Sequence, residues 1–270
     1  MVADMPEYLF DNLRYLEAFK QDSSTGIVTD IDGTISKIAP TPDEAVVTST
    51  MRRALVQLNE KFKLVAVISG RSVLKAREMV QVDGLLYVGN HGLEFLKDDE
   101  LCIRPEVEKY IPEINEAGEK LKNSELSSIN GLIFEDKGLC YSIHYRLAQG
   151  EQNIREKILN SLKDDPVCKE LKISEGRCLF ELKPPVSYDK GTILHEIIEE
   201  HGLEKIIYLG DDITDFDAFS KLKELEKQGI IQGVGILVLS PEIPSYLKKG
   251  ASFFINNVDE VLKFFQWLLN

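Results

Sequence analysis

The sequence predicts an α/β protein built on a parallel sheet and interrupted by a smaller α+β module. Three observations carry this. Apolar runs of strand length alternate with segments of helical periodicity in the first and last parts of the chain. Over residues 109–186 the alternation breaks, and strand-like runs come in adjacent pairs. Outside that stretch most apolar runs stop at a polar, glycine-containing cluster, as strands do at the ligand-binding edge of an open parallel sheet.

Taken in order, Tyr8, Leu9, Leu13, Leu16 and Phe19 stand at helical spacing and predict a helix over residues 7–20, ended by Asp22-Ser23-Ser24. Residues 26–29 predict a buried strand that stops at Asp30-Ile31-Asp32-Gly33-Thr34. A helix over 51–61 leads to a strand over 64–68, stopped by Ser69-Gly70-Arg71, and a strand over 85–88 runs into Gly89-Asn90-His91-Gly92. Strands separated by helices imply parallel pairing through right-handed crossovers. The interrupting module begins with a helix over 111–126 and strands over 131–134 and 139–145, joined by the hairpin turn Asp136-Lys137-Gly138. A helix over 151–162 and strands over 171–174 and 178–182 complete a β-β-α-β-β pattern, closed by Pro184-Pro185. Alternation then resumes: a helix over 190–201, a strand over 206–209 stopped by Gly210-Asp211-Asp212, and a helix over 214–227. Strands over 234–239 and 252–255 and an amphipathic helix over 258–269 end the chain. The expected division is 1–108 with 187–270 for the core and 109–186 for the insert.

Composition excludes several functions. At 270 residues and 43% hydrophobic content, there is enough chain for a sizeable core. With 45 Asp plus Glu against 32 Lys plus Arg, the net charge of −13 opposes a nucleic-acid partner. The segment 109–186 holds 12 basic and 13 acidic residues, so nearly all the excess belongs to the core. No apolar run approaches the roughly 20 residues that span a bilayer. The first ten residues carry Asp4 and Glu7 and lack a basic, then apolar, leader. Cys102, Cys140, Cys168 and Cys178 show no C-x-x-C spacing, which argues against a zinc knuckle or a disulfide framework. These features predict a cytoplasmic protein without a membrane partner; a monomer is the default expectation.

Four polar clusters at strand ends or helix starts then carry the chemistry. Asp30 and Asp32 stand two apart, so in extended geometry both side chains project to the same side. Gly33 permits a sharp turn, and Thr34 adds a hydroxyl. Ser69 ends the second strand, Lys190 opens a helix, and Asp211, Asp212 and Asp215 follow the next strand. Carboxylates converging on one edge repel one another unless a hard cation sits among them, and Mg²⁺ takes oxygen ligands from one or two carboxylates plus a substrate phosphate. One Asp can attack phosphorus as nucleophile and its neighbour can move the proton, with Ser69 and Lys190 donating to phosphoryl oxygens.

In order and spacing, Asp30-Ile31-Asp32-Gly33-Thr34, Ser69-Gly70-Arg71, Lys190-Gly191 and Gly210-Asp211-Asp212-Ile213-Thr214-Asp215 resemble the four motifs of the haloacid dehalogenase superfamily of phosphohydrolases. The resemblance spans the chain and implies a Rossmann-like core with an inserted α+β cap between the second and third motifs. It implies Asp30 as nucleophile, Asp32 as general acid and base, and Ser69 and Lys190 as phosphate-binding groups. It further implies Mg²⁺ held by Asp30, the carbonyl of Asp32 and Asp211, with Asp215 orienting Lys190 or a metal-bound water. Asp212 reads equally as a helix cap or as part of the metal surroundings.

Further segments, Gly89 to Glu94, Ser142-Ile143-His144-Tyr145-Arg146 and Phe180-Glu181-Leu182-Lys183-Pro184, resemble those of trehalose-6-phosphate phosphatases. That resemblance implies a sugar phosphate as substrate, with the cap supplying specificity and closing over the sugar. Arg146, Glu181 and Lys183 offer the hydrogen-bonding groups a disaccharide needs, although Glu181 and Lys183 on one strand face also read as a simple ion pair. Gly70, Arg71, Asn90 and His91 are candidate substrate contacts. For Arg71 the alternative is an anchor to a carboxylate, and for His91 a turn residue. His144 is expected at the sheet interior or the hinge. Sucrose phosphate and mannosyl phosphate esters are alternative substrates, and a phospho-accepting receiver is the alternative from another class.

Overall fold

The computed structural model describes residues 5–148, 150–240 and 250–270. These fall into two units: one runs to Leu101 and resumes at Tyr188, and the other is Cys102–Ser187. The expected insert, 109–186, lies within the second of these.

The first unit is a sheet covered by helices. Its elements before the insert are β1 (Glu7–Tyr8), α1 (Glu17–Lys20), β2 (Gly26–Thr29), α2 (Ser49–Lys61), β3 (Leu64–Ile68), α3 (Val73–Val80), β4 (Leu86–Gly89), β5 (Glu94–Lys97) and β6 (Glu100–Ile103). The insert adds α4 (Pro105–Glu108), α5 (Ile111–Lys122), β7 (Ile133–Asp136), β8 (Tyr141–His144), α6 (Ile154–Asp164), β9 (Lys172–Gly176) and β10 (Leu179–Lys183). After it come α7 (Lys190–His201), β11 (Lys205–Gly210), α8 (Ile213–Lys227), β12 (Gln232–Val238), β13 (Phe253–Ile255) and α9 (Val258–Leu269).

The large sheet has the order β1-β13-β12-β11-β2-β3-β4-β5-β6, and its pairs from β1 to β4 are parallel. Strands buried on both faces read as unbroken apolar runs, and every residue of β2 is buried. Alternation sends Ile27, Val65, Val67, Ile207 and Leu209 to a core shared with α2 and α9. Val28, Ala66, Ile68 and Tyr208 go to the opposite core, with α7 and α8. From β2 the chain winds to β3 and β4 on one side and later to β11 and β12 on the other. The crevice at that switch opens at the carboxyl ends of β2, β3 and β11.

Of the predicted helix over 7–20 only α1 at its end is present, and a two-residue strand and short turns precede it. Glu7 and Tyr8 pair with Phe253 and Phe254, and the Asn12 side chain donates to the Tyr8 carbonyl (2.9 Å), competing with helical bonding. Leu9, Leu16 and Phe19 are nonetheless buried. Helices α3 and α4 and strands β5 and β6 have no counterpart among the predicted elements; β5 runs antiparallel to β4 after the turn at Asn90–Gly92. Helix α5 stops at Lys122, where the Asn123 and Ser124 side chains donate to the carbonyls of Glu119 and Leu121. In α9, Trp267 stacks on Phe264, with ring centroids 5.9 Å apart.

The second unit is an antiparallel sheet, β7-β8-β10-β9, with Tyr141, Ile143, Phe180 and Leu182 on the face that packs with α5 and α6. No helix among the described residues is long and apolar enough to cross a membrane.

Candidate active site

Four polar residues each follow directly on the end of a parallel strand: Asp30 after β2, Ser69 after β3, Asn90 after β4 and Asp211 after β11. The backbone stays tied to the sheet at the first of these, where the Asp30 amide donates to the Leu209 carbonyl (2.9 Å). Beyond it the extended geometry ends. The Ile31 carbonyl accepts from the amides of Thr34, Ile35 and Ser36, and Gly33 turns with φ +82°.

The chemistry centres on Lys190, the first residue of α7 and 2% exposed. Its ammonium lies 2.7 Å from Asp215 Oδ1 and 3.2 Å from Asp30 Oδ1. Burial works against that charge, but the Asp215 and Asp30 carboxylates outweigh it and the net shift of the Lys190 pKa is upward. Asp30 shows the opposite balance. Burial raises its pKa well above the usual carboxylate range against the pull of Lys190, and repulsion from Asp215 and Asp32 adds to the rise.

Asp215 is held on all sides. Oδ1 accepts from Lys190 and from the Tyr208 hydroxyl (2.6 Å), while Oδ2 accepts from the amides of Asp211 and Asp212 (2.9 Å each). Four donors use the ordinary acceptor capacity of a carboxylate, so Asp215 orients Lys190 and the Asp211 loop. Asp212 is the N-cap residue of α8, and Asp215 closes back on its amide.

Carboxylate oxygens of Asp30, Asp211 and Asp215 lie within 4.8 Å of one another, and all three residues are buried. Asp215 is already engaged by its four donors, so the carboxylates of this group that could hold Mg²⁺ are Asp30 and Asp211. Gly33 lies against this group, and a Cβ there would stand 1.8 Å from Asp211 Oδ2. The Asp32 side chain is not part of this group, so of Asp32 only the backbone carbonyl is left as the expected metal contact. Its carboxylate is gripped by Arg71 through Nε (2.7 Å) and a second guanidinium nitrogen (2.8 Å), which also donates to the Pro42 carbonyl (2.9 Å). For Arg71, the anchoring alternative is the one the structure displays, with the Asp32 carboxylate as its partner.

Replacing Gly33 by Ala should cost more than the same change at Gly138, which also has positive φ but meets nothing within 4 Å. Backbone strain costs about 1–2 kcal/mol at either position, and the clash with Asp211 adds about 1–3 kcal/mol at Gly33 alone. Urea unfolding of the two variants reads this difference directly.

Ser69 is buried and its hydroxyl accepts from the Arg71 amide (3.2 Å). Asn90 and His91 both take left-handed backbone angles. Their amides donate to the carbonyls of Arg71 and Ser69, which laces the two loops together. The His91 ring lies against Gly70, where a Cβ would be 2.7 Å away, so both turn geometry and close packing explain this pair. The Asn90 side chain donates to Glu94 Oε1 (2.8 Å), which also accepts the Val73 amide (2.7 Å).

In the second unit, one sheet face is polar. Glu135, Ser142 and Glu181 stand in register across β7, β8 and β10. Glu181 Oε1 accepts from Lys137 (2.9 Å) and Ser142 (3.2 Å), and Lys183 lies 3.9 Å from Oε2. The Glu181–Lys183 ion pair is therefore present, but the shorter bond is to Lys137. Burial works to lower the Lys137 pKa; Glu181 and Glu135 outweigh it and the net shift is upward. His144 Nε2 meets Glu135 Oε2 at 2.9 Å, and Arg146 lies half-buried in the turn after β8.

Sequence reasoning missed Tyr208, Lys137, Ser142 and Glu135. The run Ile206-Ile207-Tyr208-Leu209 reads as apolar, and Lys137 reads as a turn residue. Asp136-Lys137-Gly138 beside a strand carrying acidic residues was the available signal for the latter.

Comparison with known proteins bears on the family and the fold. The model of the trehalose-phosphatase family matches residues 28–257. A probable trehalose-phosphate phosphatase of Arabidopsis thaliana is 30% identical over 280 residues, covering 97% of this chain and 75% of its own. A trehalose 6-phosphate phosphatase of Zea mays is 30% identical over 262 residues, covering 89% and 68%. Among solved structures, the C-terminal domain of a Candida albicans trehalose-6-phosphate phosphatase is similar in fold, with a TM-score of 0.79, 20% identity, and coverage of 100% of this chain and 99% of that one. A haloacid dehalogenase-like hydrolase of Bacteroides thetaiotaomicron has a TM-score of 0.61 at 16% identity, covering 90% and 99%. With its α/β core, its acidic cluster at the strand ends and a match over most of its length, the chain belongs to the trehalose-phosphatase family of enzymes.

Proposed function

We propose that the protein hydrolyses trehalose 6-phosphate to trehalose and phosphate through an aspartyl-phosphate on Asp30, with Mg²⁺ as cofactor, as a step of trehalose biosynthesis. The observation that carries this reading is the convergence of Asp30, Lys190, Asp215 and Asp211 at the switch point of the sheet. An Asp30 oxygen attacks phosphorus, the bond from phosphorus to the sugar oxygen breaks, and Asp32 gives that oxygen a proton. Asp32 then takes a proton from the water that attacks phosphorus, so that phosphate leaves and Asp30 is regenerated. Lys190 and Ser69 donate to the phosphoryl oxygens. Asp30, Asp211 and the Asp32 carbonyl would hold Mg²⁺, which supplies charge neutralisation at the phosphoryl group when bound. Arg71 keeps Asp32 in place through its two hydrogen bonds.

For the sugar, the reading assigns Arg146, Glu181 and Lys183 as hydrogen-bonding groups, with Lys137 and Ser142 holding the Glu181 carboxylate. Gly70, Asn90 and His91 shape the loops beside Ser69. The names carried by the relatives and the polar sheet face of the second unit support a disaccharide phosphate over a small ester.

Phosphate release from a panel of trehalose 6-phosphate, sucrose 6-phosphate, a mannosyl phosphate ester and p-nitrophenyl phosphate tests the substrate. Trehalose 6-phosphate should give a kcat/KM at least about tenfold above the others, the scale on which a site built to hydrogen-bond hydroxyls discriminates. Glu181→Gln should lower that value while leaving p-nitrophenyl phosphate within about twofold. Equal losses on both substrates would remove the assignment of Glu181, and multiple turnover at all would exclude a receiver that stores its phosphoryl group.

A further inference from the structure

One polar group of the cluster belongs to none of the four motifs, the hydroxyl of Tyr208. Its side chain is wholly buried on β11, where alternation turns it to the face shared with α7 and α8 and its ring packs edge-on against Phe219 at 5.7 Å. Every other inward position of β11 and of neighbouring β2 and β3 on that face is apolar, and Phe would fill the same space. A buried phenol is costly unless its hydroxyl is bonded. Here it donates at 2.6 Å to Asp215 Oδ1, the oxygen that also takes Lys190 at 2.7 Å. Asp215 Oδ2 is occupied by the amides of Asp211 and Asp212, so the carboxylate cannot rotate to offer Lys190 a second oxygen.

Two donors on one oxygen share its electron density, and each bond is weaker than it would be alone. Lys190 is the group that must divide its charge, between Asp215 on one side and Asp30, 3.2 Å away, on the other. We propose that Tyr208 is a positioning residue for phosphoryl transfer, sharing Asp215 Oδ1 so that Lys190 stays available to Asp30 and to the transferring phosphoryl oxygens. The inference rests on the phosphatase reading above. Without the hydroxyl, Asp215 draws Lys190 towards itself and the ammonium serves the transition state less well, while sugar binding is untouched.

The test compares Tyr208→Phe with Tyr87→Phe in the full chain with Mg²⁺. Tyr87 is another buried tyrosine of the same unit, and its hydroxyl donates to the Val82 carbonyl at 2.7 Å. The readouts are kcat and KM for trehalose 6-phosphate and for p-nitrophenyl phosphate, and the inhibition constant of orthovanadate, a mimic of the five-coordinate phosphoryl group. Tyr208→Phe should lower kcat about tenfold or more on both substrates and raise the vanadate constant by a similar factor, with KM within about twofold. Tyr87→Phe should leave all of these within about twofold. If Tyr208→Phe fails to fold, 3-fluorotyrosine at position 208 keeps ring and hydroxyl but alters donor strength, and kcat and the vanadate constant should still shift together. An active parent with an unaffected Tyr208 variant, or equal losses in both variants, overturns the proposal. A parent that turns over no phosphate ester overturns the phosphatase reading, and this proposal with it.

Discussion

Replacing Asp30 by Asn should abolish turnover of trehalose 6-phosphate and leave the protein at least as stable as its parent in cation-free buffer at pH 8. The first effect follows from the loss of the attacking oxygen. An amide is no nucleophile towards phosphorus, and removal of such a group costs about four orders of magnitude or more in kcat. The second follows from the environment of the carboxylate. Burial, with Asp215 and Asp32 adding to it, raises the Asp30 pKa despite Lys190. A folded-state pKa above the unfolded value means that the ionised group works against folding once the pH exceeds the unfolded pKa. The neutral amide removes that term, and Lys190 keeps its closer partner Asp215 at 2.7 Å. Urea midpoints and phosphate release, measured on the same preparation, read both effects. Retained phosphate release, or a large loss of stability, would contradict the assignment.

The largest loss of stability in the site should come from Asp215→Ala. This change strips partners from a buried ammonium, a buried phenol and two backbone amides at once. Breaking a buried ion pair by removing one member costs about 3–5 kcal/mol, and although Lys190 keeps Asp30 at 3.2 Å, the phenol and the two amides lose their acceptor altogether. The urea midpoint should fall accordingly, and activity should vanish with it, since the Asp211 loop and Lys190 both lose their anchor. Asp215→Asn keeps one carbonyl oxygen and should lie between the parent and the Ala variant. Parent-like stability in Asp215→Ala would show that the four hydrogen bonds do not organise the site.

Sequence and structure differ in an instructive way at these residues. The strands that carry the cluster were legible because a parallel strand buried on both faces is apolar along most of its length, as β2, β3 and β11 are. Their polar stops were legible for the converse reason: Asp30, Ser69 and Asp211 have no place inside such a strand. Tyr208 escaped because an aromatic residue inside an apolar run looks like packing, and its partner lies a helical turn beyond the strand end. Lys137 escaped because its partner Glu181 is brought close only by the pairing of β8 with both β7 and β10. The first strand was misread as helix because the partner that fixes Glu7 and Tyr8 lies near the other end of the chain. Arg71 was legible as a residue of the site but not as the partner of Asp32, since a guanidinium beside an expected phosphate position has two acceptors to choose from.

The net charge of −13 is compatible with this account. Nearly all of the acidic excess belongs to the core, and only a few carboxylates stand around Lys190, where a cation and one small phosphate can offset them. The same charge remains unfavourable for a polyanion.

The central claim is that Asp30 carries the phosphoryl group during turnover. Rapid mixing of the Mg²⁺-loaded protein with trehalose 6-phosphate, quenching with borohydride and peptide mass spectrometry tests it directly, because an acyl phosphate is reduced to the alcohol while a free carboxylate is not. The account predicts reduction at Asp30, dependent on substrate and absent from Asp30→Asn. Reduction at another residue, or brisk turnover with Asp30 unmodified, would contradict it.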